Sequence, residues 1–275
     1  DSDIDVLILL AQEPKGDDLA RLEKLVAALW DLGFEVGHSV RTIEDCQREA
    51  ANDITVETAL MECRWLAGSK PLLAQLAGTM ASQRDPRAFF QAKRSEMQQR
   101  HTRHQDTPYA LEPNCKEALG GLRDLMVLLW IAQASGTGHT WREIGQTDLL
   151  TPSEYRALRR AELAFKRLRI EMHLLAGRRE DRLLFDLQPS LAKIYGFEAT
   201  RTRRPSELLM QRYYWAARVV NQLNTILMQT FEERLFPETR GEWRALDDDF
   251  CVAYNRLDTQ LPDAFERNPT LLLRA

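Results

Sequence analysis

The chain has 275 residues, of which 44% are hydrophobic and 28% charged, and its formal net charge is −4. These values are ordinary for a soluble globular protein of one or two domains. The acidic balance argues against non-specific binding to nucleic acid. No apolar run approaches the ~18 residues of a membrane span. We therefore expect neither nucleic acid nor a membrane as a partner.

The chain opens on a predicted strand. Residues 1–10 begin Asp-Ser-Asp-Ile-Asp and continue as an apolar run that ends at turn residues, a pattern typical of a buried strand. Because side chains alternate along a strand, Asp3 and Asp5 point to one face, roughly 6.5–7 Å apart. Two carboxylates on a rigid strand suit Mg²⁺, which binds through one or two carboxylates plus substrate phosphates. An isolated Asp-x-Asp is more often a polar strand entrance, and both interpretations stay open here.

A helix and a second strand follow. Apolar residues recur at helical spacing over residues 17–32, and Gly33 is placed to end that helix. Residues 34–43 then alternate as a strand, so that strand, helix and strand predict an α/β unit. If the two strands are neighbours, Glu35 is a candidate third carboxylate and Arg41 could reach a phosphate. A plain surface role fits Glu35 equally well.

The rest of the chain predicts helices and no further strand. Helical patterns cover residues 44–66 with a break near 52–53, and then 70–76, 86–104, 120–134, 151–176 and 205–236. The tail over 247–275 is predicted to be irregular. The expected fold class is therefore α+β, mostly α, with a partial α/β unit followed by an all-helical domain.

Residues 113–125 combine two adjacent glycines with an unusual density of polar side chains. Gly120 and Gly121 permit uncommon backbone torsions and close approach of a neighbouring segment. The charged side chains either are exposed to solvent at the capped start of a helix or serve as functional groups. In the second case Lys116 and Arg123 are candidates to bind substrate.

Two weaker patterns favour ordinary roles. His101 and His104 have metal-ligand spacing on a helix, but without an apparent acid partner a solvated pair is favoured. The run from Tyr213 to Trp215 is favoured as core rather than as a platform for a base. Neither pattern is used to predict a site.

Three blocks of the chain resemble the bacterial bifunctional uridylyltransferase and uridylyl-removing enzymes, which modify the PII nitrogen-signalling protein. Ser2-Asp3-Ile4-Asp5 is similar to the metal-binding Ser-Asp-Ile-Asp of their polymerase-β-type nucleotidyltransferase domain. Residues 32–56 resemble the strand and helix that follow it, and residues 113–125 and 174–186 resemble the next, helical domain. The resemblance implies that residues 1–68 are the C-terminal part of the nucleotidyltransferase domain and 69–275 the helical domain.

The resemblance also implies chemistry. Asp3 and Asp5 would bind Mg²⁺, Ser2 would lie in the substrate site, and UMP would pass from UTP to a tyrosine of PII with release of pyrophosphate. The family's glycine-rich phosphate loop, His-Asp phosphohydrolase domain and ACT domains have no counterpart in this sequence, so we expect an internal fragment that is inactive by itself. The four cysteines stand far apart without a Cys-x-x-Cys pair, which fits a reducing cytoplasm.

Two alternatives remain open. The absent glycine loop and the dominance of helix would fit a non-catalytic helical scaffold or partner-binding module. A relative of the adenylyltransferase that modifies glutamine synthetase would share the nucleotidyltransferase chemistry. That family's next strand should carry an Asp, which the run Gly37-His38-Ser39 lacks.

Overall fold

The computed structural model describes residues 4–33, 36–104, 107–237, 244–253, 256–261 and 263–274. It divides into two compact units, Asp1–Ile226 and Leu227–Ala275. Helices dominate, and the strands form one two-stranded and one three-stranded sheet. The predicted fold class, α+β and mostly α, is confirmed.

The first unit begins with a parallel strand pair. Strand β1 (Ile4–Leu10) pairs with β2 (Val36–Thr42), and helix α1 (Asp17–Asp31) connects them. The predicted strand–helix–strand unit is therefore confirmed over the residues that are described. Leu7 and Leu9, on the same face of β1 as Asp5, pack on a buried cluster that includes Cys46 and Leu76.

Two short helices follow β2 without a linker. Helix α2 (Ile43–Asn52) and helix α3 (Ile54–Met61) meet at Asp53, which confirms the predicted break. At the start of α2, the Thr42 hydroxyl accepts from the Asp45 N–H at 3.2 Å, and the Asp45 carboxylate accepts from the Thr42 N–H at 3.0 Å. Asp53 caps α3 by accepting from the Thr55 N–H at 2.7 Å. These side-chain caps satisfy N–H groups that the helices cannot, so they fix where each helix begins.

Long helices form the body of the first unit. They are α4 (Lys70–Gln83), α5 (Pro86–Arg103), α6 (Leu122–Ala134), α8 (Pro152–Ala176) and α10 (Pro205–Leu235), the last of which ends in the second unit. Short helices α7 (Trp141–Ile144) and α9 (Gln188–Ile194) lie in connections where no helix was expected. Buried core residues include Phe90, Leu125, Phe165, Met172 and Val220. None of the helices over the described ranges combines the length and apolar composition needed to cross a membrane.

The glycine pair forms the turn before α6, and α10 approaches it closely. Gly120 has a φ of +75°, which L side chains rarely adopt. A Cβ atom at this position would lie 2.4 Å from the carbonyl oxygen of Ala217 on α10. Both predicted uses of the glycine, an uncommon torsion and a close approach, therefore occur at Gly120.

The prediction that no strand follows residue 43 is wrong. In the second unit, β3 (Arg244–Ala245), β4 (Phe250–Ala253) and β5 (Arg256–Thr259) form an antiparallel sheet in that order. Helix α11 (Ala264–Arg267) and a 3-10 helix (Pro269–Leu273) complete it. Strands of two to four residues are too short for alternation to distinguish them from irregular chain, which is why the sequence pattern missed them.

Candidate functional site

Asp5 lies exposed near the start of β1. Its neighbour in the sheet register is Gly37 of β2. A Cβ atom at Gly37 would lie 2.8 Å from Asp5 Oδ1, closer than real Cβ contacts allow. Glycine therefore leaves room at position 37 for the carboxylate, the movable end of the Asp5 side chain, which a Cβ atom would push aside. An exposed carboxylate on a paired strand is suited to a hard divalent cation.

The described structure does not place the other residues predicted for this site next to Asp5. Ser2, Asp3 and Glu35 lie outside the described residues. Arg41 lies on the same face of the sheet as Asp5, but four residues along from Gly37, which is roughly 13 Å at the rise of a strand. Within the described ranges, no group of three or more His, Cys, Asp or Glu residues could hold a metal ion. The metal and substrate roles of these residues stay predictions.

A second polar centre lies in a cleft of about 520 Å³ lined by α3, α5 and α6. Lys93 is only 1% exposed, and its Nζ lies 2.5 Å from Glu96 Oε2 and 4.5 Å from the centre of the Trp130 ring. The Trp130 indole donates to Glu62 Oε1 at 2.9 Å. Burial lowers the pKa of Lys93, and the charges of Arg123 and Arg100 add to this effect while Glu96 opposes it.

The lowered pKa of Lys93 predicts a pH-dependent contribution to stability. Because the folded protein releases this proton at a lower pH than the unfolded chain, the unfolded state binds more protons between the lowered pKa and about 10.4. Lys93 therefore makes the free energy of unfolding rise with pH in that window. The free energy of unfolding in urea should be measured for the wild type and for Lys93→Met from pH 8 to 10.5. As the pH rises, the value for the wild type should increase relative to that for the variant. A pH-independent difference would contradict this.

Asp124 is fully buried at the start of α6, and three donors converge on it. Arg100 Nη2 and His101 Nε2 lie 2.6 and 2.8 Å from Asp124 Oδ1, and the Gly120 N–H donates to Oδ2 at 2.8 Å. Arg100 also donates to the carbonyl oxygen of Glu117 at 2.8 Å. This network joins the end of α5 to the glycine turn and to α6.

Lys116 and Arg123, the two candidate substrate-binding residues of this region, meet at Glu117. Arg123 Nη2 donates to Glu117 Oε1 at 3.2 Å, and Lys116 Nζ lies 3.6 Å from the same oxygen. Burial raises the pKa of Glu117, but the Arg123 hydrogen bond and the two positive charges outweigh it, so that the pKa is lowered. Of the two, only Arg123 lines the cleft. Their binding of substrate stays a prediction.

Two of the weaker sequence interpretations need correction. The expected solvated pair is wrong for His101, which is buried against Asp124. The expected core role holds for Tyr213, which is buried, but Trp215 is 63% exposed. In both cases helical spacing shows which residues share a face of one helix, and not what another segment places over that face.

The sequence analysis did not single out Lys93 or Trp130, and it did not predict that Asp124 is buried. The hydrogen bond from Trp130 to Glu62 spans 68 residues and that from Arg100 to Asp124 spans 24. Such contacts depend on the packing of separate helices. A charged residue among the apolar positions of α5 was the one feature that could have marked Lys93.

The parallel strand pair with Asp5 near its start, followed by a larger helical portion, has the order expected of a nucleotidyltransferase-type enzyme. The family model described as GlnD PII-uridylyltransferase matches residues 88–228, just over half of the chain. The chain therefore belongs to the GlnD PII-uridylyltransferase family.

Curated relatives agree with this assignment. One from Bordetella parapertussis is 67% identical over 274 residues, which cover 100% of this chain and 32% of the relative. Relatives from Burkholderia mallei and Cupriavidus pinatubonensis are 48% and 47% identical, over 100% and 99% of this chain and 32% and 31% of their own lengths. All three are named bifunctional uridylyltransferase/uridylyl-removing enzyme. The chain thus spans about a third of the length of the relatives it matches, and no solved structure matches it significantly.

Proposed function

We propose that this chain forms part of a cytoplasmic enzyme that transfers UMP from UTP to a tyrosine of the PII protein and releases pyrophosphate. The observation that carries the proposal is the exposed Asp5 carboxylate beside Gly37, in a member of the PII-uridylyltransferase family. Since the chain matches 32% of the Bordetella parapertussis relative, the activity is assigned to a longer enzyme. The division into a nucleotidyltransferase part, 1–68, and a helical domain, 69–275, belongs to this proposal.

Support for a divalent metal comes from one described carboxylate of the site. Asp5 offers an exposed carboxylate on a strand, and an alanine at Gly37 would crowd its Oδ1 atom. Asp3 and Asp5 would hold Mg²⁺, the usual partner of phosphate groups at such carboxylates. When bound, the ion neutralises charge on the phosphates and on the departing pyrophosphate.

The protein's own contribution is to position the reactants. The tyrosine hydroxyl loses its proton to solvent as its oxygen bonds to the α-phosphorus, and the bond from phosphorus to the bridging oxygen of the departing pyrophosphate breaks. Asp5 would hold its carboxylate in place on a paired strand. Ser2 is proposed to contact the substrate and Glu35 to be a further carboxylate. Arg41 is proposed to contact a phosphate group, and Lys116 and Arg123 are proposed to contact the substrate. Each of these roles rests on residue type and on the resemblance.

The proposal is tested by changing Asp5 in a full-length chimera, in which this chain replaces the matching 32% of the Bordetella parapertussis relative. Asp5→Asn should lower the rate of UMP transfer to PII by at least about 100-fold, because a charge that stabilises the transition state is lost. The matched control is Asp31→Asn, an exposed aspartate of the same α/β unit, which should change the rate less than about twofold. Undiminished transfer by a folded Asp5→Asn variant would refute the proposal.

Gly37→Ala separates the geometry of the site from its charge. The added Cβ crowds Asp5 Oδ1 and should displace the carboxylate, which lowers the transfer rate about tenfold or more in the chimera. The free energy of unfolding should not fall with it, because alanine is at least as well tolerated as glycine in an exposed strand. Gly78→Ala on α4, where nothing lies within 4 Å of the new Cβ, is the control. Equal rates for Gly37→Ala and Gly78→Ala would show that the position beside Asp5 does not matter.

A further inference from the structure

Two clefts meet at the end of α5. One is the cleft of about 520 Å³ described above, and the other, of about 400 Å³, is lined by residues 110–114 together with Arg182 and Phe185. Arg103 and His104 line both clefts. The two clefts together are called here the His104 groove.

The cations of the His104 groove fall into two sets. Carboxylates hold three of them: Lys93 is paired with Glu96, Arg100 with Asp124 and Arg123 with Glu117. The guanidinium groups of Arg103 and Arg182 have no carboxylate within ion-pair distance over the ranges that the structure describes, and both residues are exposed. These two arginines therefore keep donors available for a ligand.

Both arginines stand on ordered backbone. Arg103 is the last residue of α5, and His104 follows it as the C-cap. Arg182 forms an antiparallel bridge with Asn114, flanked by hydrogen bonds of 2.9 Å from the Leu183 N–H to the Pro113 carbonyl and 2.8 Å from the Cys115 N–H to the Asp181 carbonyl. A ligand between them would need to order only the two side chains, which limits the entropic cost of binding.

Cations act on His104 from several sides, although the carboxylates of Glu62, Glu96, Glu112 and Glu117 also line the groove. Burial lowers the pKa of its imidazole, and Arg100, Arg182 and His101 act in the same direction against the opposing charge of Glu117. A neutral imidazole offers one N–H donor without adding a charge of its own. An anion placed here would relieve the repulsion between the nearby cations.

We propose that the His104 groove binds a phosphate-bearing anion between Arg103 and Arg182. The planar guanidinium fork matches phosphate oxygens in a bidentate way, and two such groups suit an anion that carries more than one charge. The shared chemistry is that of a polyphosphate, which either free pyrophosphate or the phosphates of a nucleotide would supply. This site is additional to the carboxylates at Asp3 and Asp5 on which the proposed function rests.

The test is calorimetric titration of the protein with inorganic pyrophosphate, without divalent metal and at constant ionic strength. Arg103→Gln and Arg182→Gln should each weaken binding at least tenfold. Both residues are exposed, so the fold should survive. Arg156→Gln removes one exposed arginine that lines neither cleft, and it should change the affinity less than twofold. Absence of binding to the wild type, or equal weakening by the control variant, would overturn the inference.

A second measurement locates the anion. The imidazole proton resonances of His104, assigned by their loss in His104→Gln, should shift on addition of pyrophosphate to the wild type and stay unchanged in Arg182→Gln. Competition by metal-free UTP would identify a nucleotide as the source, and its absence would identify free pyrophosphate. Asp5→Asn should bind pyrophosphate as the wild type does, whether or not it transfers UMP. If Asp5→Asn loses pyrophosphate binding instead, the anion lies at the carboxylates and the inference fails.

Discussion

Asp124→Asn is expected to lower the free energy of unfolding by about 3–5 kcal/mol, the usual result of removing one partner from a buried ion pair. Asp124 is fully buried and accepts from Arg100, from His101 and from the Gly120 N–H. Asparagine keeps the shape but replaces one acceptor oxygen with a donor, so that at least one of the three donors loses its partner. Arg100 would retain only its bond to the Glu117 carbonyl and its more distant contact with the Glu117 carboxylate.

Equilibrium unfolding in urea, followed by circular dichroism, measures this loss. Asp186→Asn is the matched control, because Asp186 is exposed, and it should change the free energy by less than about 0.5 kcal/mol. If Asp124→Asn lowered the free energy of unfolding no more than this control, the network around Asp124 would not be needed to hold α5, the glycine turn and α6 together.

Gly120→Ala is expected to cost about 2–5 kcal/mol for two separate reasons. The first is the φ of +75°, which costs a residue with a Cβ about 1–2 kcal/mol. The second is the position of that Cβ, 2.4 Å from the backbone oxygen of Ala217, which forces α10 away from the turn. Overpacking against backbone typically costs a further ~1–3 kcal/mol.

Gly136→Ala separates the two contributions. Gly136 has a similar φ of +70°, but nothing lies within 4 Å of a Cβ there. Its substitution should cost only the ~1–2 kcal/mol of the torsion. The difference between the two variants in urea unfolding then measures the contact with α10. Equal losses would show that α10 does not press on the glycine turn.

Local signals in the sequence predicted much of the fold. The break at Asp53 and the start of α8 at Pro152 follow from caps whose partners lie within three residues, which is why they could be read from the chain. The strand–helix–strand order followed from an apolar run, a helical pattern and an alternating run, whereas the parallel pairing of the strands came from the structure. The close approach at Gly120 was also predictable, because two adjacent glycines are costly unless the backbone needs them.

What the sequence could not show depends on contacts between distant segments. The pattern of α5 places Lys93, Arg100 and His101 on one helix, but not Trp130 or Asp124 against them. The short sheet of the second unit has strands of two to four residues, below the length at which alternation is informative. At the candidate site, Asp5 and Gly37 were predicted to lie in two strands, and whether those strands are neighbours was left open. Only the register of the two strands in the structure shows that Asp5 and Gly37 are direct partners.

We propose that the Asp5 carboxylate, beside Gly37, binds the divalent metal of a nucleotidyl transfer. The most direct measurement is Mn²⁺ binding in the presence of UTP, followed by electron paramagnetic resonance on the full-length chimera and its Asp5→Asn variant. We expect saturable binding by the wild type and at least a tenfold loss of affinity in Asp5→Asn, with unchanged thermal stability. Equal Mn²⁺ affinity in the two proteins would contradict the claim.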